Sequence, residues 1–130
     1  MNGKSWNEVL RLLSMMILID GKVFEEEIEA FKDAAIALRD MVDPSLVLTR
    51  HMAGDWFTQH RDEIAIGVSH VFYESTVSKT LERLNDIEDK KGLLVALLKV
   101  AMSDGVKHPA EEKLFNSACE TWGLEVQLAS

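Results

Sequence analysis

Apolar residues recur at steps of three and four through most of the chain, the spacing of helices with one buried face. Trp6, Val9, Leu10, Leu13, Met16 and Ile17 share one face of a first helix. The spacing of Ser5 and Glu8 predicts a capping box that starts this helix near Trp6. From Leu12 to Ile19 almost every position is apolar, so other helices are expected to surround it. Asp20-Gly21 should end it, because glycine takes the positive φ of a helix stop.

The same logic predicts a second helix from about Phe24 to Met41, with Ile28, Phe31, Ala35 and Leu38 inside and Glu29, Lys32, Asp33, Arg39 and Asp40 outside. Asp43-Pro44 opens a short helix to about Met52. Gly54 breaks the pattern, and Asp55 caps a further segment, WFTQHRDEIAIGV. Another helix is expected from about Ser69 to Leu84, lined by Val71, Phe72, Val77, Leu81 and Leu84. After the Asn85-Asp86 turn, Asp86 caps a helix whose first turn holds Asp89, and the run GLLVALLKVAM reads as a second central helix. It halts at Asp104-Gly105. The last helix starts at His108-Pro109, carries Leu114, Phe115, Ala118, Cys119 and Trp122 inward, and stops at Gly123.

Shifting the chain on itself by 84 residues superposes Leu13 on Leu97, Asp20 on Asp104, Gly21 on Gly105, Glu27 on Glu111, Phe31 on Phe115 and Ala34 on Ala118. The chain therefore reads as two copies of one unit, a buried helix, an Asp-Gly corner and an acid-started helix. The units cover about 6–41 and 87–124, with a helical insert over 44–85. Two copies with a long insert do not make a solenoid. The expected fold is all-α: a single domain, a compact bundle of about seven helices with an internal pseudo-twofold repeat.

Composition narrows the function. A length of 130 residues fits one domain with a proper core, and 47% apolar with 28% charged residues suits a globular chain. A net charge of −8 repels phosphates, so neither nucleic acid nor anionic lipid is an expected partner. The apolar run VLRLLSMMILI is interrupted by Arg11, lacks a cleavage site and is too short to span a bilayer, so it reads as a buried helix. Cys119 is the single cysteine, which excludes an internal disulfide and fits a cytoplasmic location.

The stretches ILIDGKVFEEEIEAF and KVAMSDGVKHPAEEKLFNSACETWGL resemble the tellurite-resistance TerB-like family. Its hallmark is a helix ending in Ala/Ser-Asp-Gly, a few residues, then a glutamate opening the next helix. DWFTQHRDEI and LERLNDIEDKKGLLVALLKVAMSDG also look like parts of small TerB-like proteins, so the resemblance covers nearly the whole chain. It implies a compact helical domain, a link to tellurite or chemical stress, and divalent-cation binding by the acidic corners. Other family members are modules attached to membrane-anchored co-chaperones. None of this implies an enzyme.

The corners admit two readings. In the structural one, Glu27 and Glu111 stand at the third helical position and bond back to the loop, while Asp20 and Asp104 cap their own turns; each such contact is worth about 0.5–2 kcal/mol. In the other, the corners hold a divalent cation through Asp20, Glu26, Glu27, Asp104, His108 and Glu111. Glu25 adds an oxygen to the first corner and Glu112 to the second, and His108 suits zinc or manganese. If the corners meet across the pseudo-twofold axis, their acids share one ion. His51, His60 and His70 lack ligand spacing and read as partly exposed; Cys119 reads as a buried inert thiol. Met15, Met16, Met41, Met52 and Met102 read as core fillers, and Trp56 and Phe57 as core anchors. No glycine-rich phosphate loop, Ser/His/Asp arrangement or CxxC pair is present. The expected role is a non-enzymatic interaction module that docks a protein partner in a stress response; the alternative is a metal-binding or metal-sensing protein.

Overall fold

The structure, a computed structural model, describes residues 3–19, 23, 25–42, 47–68, 73–85, 90–103 and 109–124. Among them stand six helices and no strand: α1 (Gly3–Leu18), α2 (Glu25–Val42), α3 (Arg50–Gly67), α4 (Tyr73–Arg83), α5 (Lys90–Ala101) and α6 (Pro109–Trp122). Both Asp-Gly corners lie outside the described residues. So do Phe24, Asp43-Pro44, Ser69, His70, Val71, Phe72, Asp86, Asp89 and His108, and the side chains of Trp6, Asp40 and Met41.

Helix α1 is the axis of the bundle and packs against all five other helices. Every residue from Leu12 to Leu18 is buried, as its all-round apolarity predicts. The single polar member of that run, Ser14, donates its hydroxyl to the Leu10 carbonyl at 2.9 Å and so is itself satisfied within the helix. Helix α1 begins at Gly3 rather than near Trp6. Ser5 is therefore inside the helix, and Glu8 faces inward instead of closing a capping box. Helices α2 and α6 begin at Glu25 and Pro109, 84 residues apart, in the register of the repeat. Their paired apolar positions are all buried: Phe31 with Phe115, Ala34 with Ala118, and Leu13 with Leu97 on α1 and α5.

The expected seven helices become six because two merge. Residues 47–49 are not helical, Thr49 accepts from the Met52 amide at 3.1 Å as the N-cap, and α3 then runs unbroken through Gly54. Helical glycine costs about 1 kcal/mol relative to alanine. Here it makes room: a Cβ on Gly54 would lie 3.0 Å from Cε of Lys32, whose stem crosses from α2. Asp55, expected to cap, instead pairs one turn back with His51 at 3.2 Å. An aromatic cluster joins α2 to α3, with the Phe31 ring 5.5 Å from Phe57 and 6.5 Å from Trp56. Phe57 is buried as an anchor; Trp56 is half-buried and stacks on His60 at 4.2 Å.

Helix α6 ends as expected. Gly123 takes φ +66°, its amide bonds the Glu120 carbonyl at 3.3 Å, and Leu124 reaches back to Cys119 at 3.0 Å, a Schellman stop. Three expectations about burial are overturned. Met52 and Met102 are exposed rather than core-filling, Cys119 is half-buried, and α5 is not surrounded as α1 is. Helix α5 touches α1, α2 and α6 and leaves Lys91, Val95, Lys99 and Met102 in water.

Candidate functional site

Of the six residues predicted to hold a cation, the structure describes Glu26, Glu27 and Glu111; Asp20, Asp104 and His108 lie outside the described residues. Glu27 and Glu111 are the third residues of α2 and α6, and both are sealed from solvent, at 0% and 2% exposure. Such burial is rare for glutamate. The first turn suits it: unsatisfied amides and the positive end of the helix dipole favour a carboxylate by about 0.3–1 kcal/mol, and more when it is partly buried. Glu25 and Glu26 point outward, while Glu112 is half-buried. The two helix starts thus share one inward acid each. Among the described residues no group of three or more His, Cys, Asp or Glu side chains is placed to hold a metal ion.

A third inward acid was not anticipated. Glu8 of α1 is 6% exposed and accepts from Nη1 of Arg83, at the end of α4, at 3.2 Å. Its second oxygen is buried without a hydrogen-bond partner among the described residues. The signal was legible: Glu8 precedes Leu12 and Met15 by four and seven residues, so it stands on an inward stripe.

Charge on the outer surface is organised around Arg50, the first residue of α3. Its guanidinium donates to Asp33 and to Glu29 of α2, the latter at 2.9 Å. Lys32 pairs with Glu29 at 3.0 Å. The hydrogen bond from Lys32, and then that from Arg50, holds the Glu29 carboxyl below its ordinary range. Desolvation opposes charge on Arg50, but Asp33 and Glu29 outweigh it and raise the pKa further.

Beside this network a groove of about 350 Å³ runs between α2 and α5. Ala30, Ala34 and Ala37 of α2 face Gly92, Val95 and Ala96 of α5. Asp33 stands on one lip and Lys99 on the other. Ala37 and Val95 are exposed, so the groove opens to water. Within GLLVALLKVAM only Lys99 marks the open side; Val95, the other exposed lining residue of α5, is as apolar as its buried neighbours.

A family model described as tellurite resistance protein TerB matches residues 7–128. The chain belongs to the TerB family. The resemblance drawn from the Asp-Gly corners is thereby shown, and the match spans both helix starts, the Glu8–Arg83 pair and the groove. No curated protein and no solved structure matches the chain. In this TerB-family chain no helix among the described residues is long and apolar enough to cross a membrane.

Proposed function

We propose that this TerB-family chain is a non-catalytic protein-interaction module that acts from the cytoplasm in a stress response of the kind for which the family is named. The observation that supports this is the open α2/α5 face. It is apolar and grooved, and no helix among the described residues covers it. Val95 and Met102 stand exposed on the α5 face beside the alanine-floored groove, and a contiguous apolar face of this kind suits a docking partner. The test is affinity capture from cell extract with the wild-type chain and with the pair Ala37→Glu plus Val95→Glu. Both positions are exposed, so the variant should fold. Loss of captured proteins from the variant is the expected result; identical sets of captured proteins would refute the reading.

A second reading is a divalent-metal-binding or metal-sensing protein, with Asp20, Glu26, Glu27, Asp104, His108 and Glu111 as ligands. It is favoured by the burial of Glu27 and Glu111 at matching positions, since a cation is one means, beside the first-turn amides, of keeping charge on a carboxylate held out of water. Calorimetric titration with calcium, zinc and manganese tests it. One ion should bind and raise Tm, and Asp20→Ala plus Asp104→Ala should abolish both effects. Absence of heat with all three ions leaves the corners as helix caps.

A further inference from the structure

The α2/α5 groove has a counterpart inside the same chain. Shifted by 84 residues, Gly92, Val95, Ala96 and Lys99 correspond to Glu8, Arg11, Leu12 and Met15 of α1. Ala34, Ala37 and Leu38 correspond to Ala118, Thr121 and Trp122 of α6. That counterpart lies between α1 and α6, and part of it is occupied: α4 packs against both helices, while Arg11 pairs with Glu63 of α3 at 2.9 Å and Thr121 stays exposed. Two of the contacts that seat α4 come from counterparts of groove residues. Glu8, in the place of Gly92, pairs with Arg83, and Trp122, in the place of Leu38, donates Nε1–H to the Leu81 carbonyl at 3.2 Å. Helix α4 is amphipathic and inserts Val77, Thr80 and Leu81, followed just past its end by Leu84, all buried, at steps of three and four.

We infer that the α2/α5 groove is a second helix seat, taking from a partner protein a short amphipathic helix that lies as α4 lies in the first. Small side chains on the groove floor let a helix backbone approach closely, and the occupant's apolar residues at i, i+3 and i+4 fill it. The lips set the charge of the occupant. Asp33 is already taken by Arg50, whereas Lys99 and the neighbouring Lys91 are in no ion pair among the described residues. In the first seat a glutamate, Glu8, meets an arginine of the inserted helix; at the second, glycine replaces that glutamate, with Lys91 beside it and Lys99 about two turns further on in the place of Met15. The seated helix is therefore acidic on the edge facing α5. This inference rests on the interaction-module reading and names its surface and partner chemistry.

The probe is the chain's own α4 segment, residues 73–85, stapled between the exposed Ser78 and Glu82 so that it is helical when free. One peptide keeps the native residues, and the other carries Lys79→Glu plus Arg83→Glu. Each is titrated into the full chain while backbone amide shifts are followed by NMR. The acidic peptide should move amides of α2 and α5 along the groove and bind roughly tenfold more tightly than the native one. Lys99→Glu, an exposed change, should reverse that preference. Shifts confined to α1 and α6, no shifts at all, or a preference unaffected by Lys99→Glu would overturn the inference. So would concentration-dependent shifts of the same amides without peptide, which mean that a second copy covers the face. Failure here alongside loss of capture by Ala37→Glu plus Val95→Glu would remove the helix seat and leave the interaction module standing.

Discussion

Replacing Arg83 by methionine should destabilise the protein, whereas replacing its partner Glu8 by methionine should not. At 3.2 Å the attraction between the two charges lies between about 1 kcal/mol at the dielectric constant of water and about 5 kcal/mol at an effective value near 20. The side chain of Arg83 is 55% exposed and that of Glu8 only 8%, so solvent screens one end and the figure falls to about 2 kcal/mol. Arg83→Met leaves a carboxylate buried without its cation and should cost about 2 kcal/mol. Glu8→Met removes that carboxylate, including the inner oxygen that has no hydrogen-bond partner among the described residues, and places an apolar side chain against the core. Desolvation relieved and attraction lost then nearly cancel, and stability should stay within about 1 kcal/mol of wild type or rise. With Glu8 already methionine, adding Arg83→Met should change little, within about 0.5 kcal/mol. The assay is urea unfolding followed by circular dichroism, with midpoints compared at constant m-value. In thermal melts Arg83→Met should lower Tm by roughly 6 °C. If Glu8→Met costs as much as Arg83→Met, the pair is a net source of stability, and the reasoning from desolvation is wrong.

Gly54→Ala should stabilise the chain by about 0.5–1 kcal/mol in the same unfolding assay, because alanine favours the helix and the atom in its way is the far end of the flexible Lys32; a loss of stability would show that the crossing of α2 and α3 cannot yield there. Arg50→Ala should change the acid limb of the stability–pH profile. The Glu29 carboxyl sits below its ordinary value of 4.5 when folded, so its contribution is present above that pH and is lost as pH falls through 4.5 toward the lowered folded value. The gap between wild type and Arg50→Ala should be flat from neutral pH to about 5 and narrow below 4.5. A gap that widens on acidification would contradict this sign.

Most of the helical content was legible from the residues alone. A helix closes its hydrogen bonds within four residues and turns every 3.6, so stripes such as Leu114, Phe115 and Ala118, and stops such as Gly123, declare themselves locally. The 84-residue correspondence is likewise read from local pattern, and Glu27 and Glu111 do stand at equal positions of their helices. Burial was decided elsewhere. The runs from Leu12 to Ile19 and from Gly92 to Met102 look alike as text. Yet α1 is buried from Leu12 to Leu18, while α5 keeps Val95 and Met102 in water, because α3 and α4 both lie against α1 and neither packs closely on α5. The inward turn of Glu8, the passage of α3 through Gly54 beneath Lys32, and the groove share that origin. Each depends on which distant segment lies alongside, a property of packing that no local period encodes.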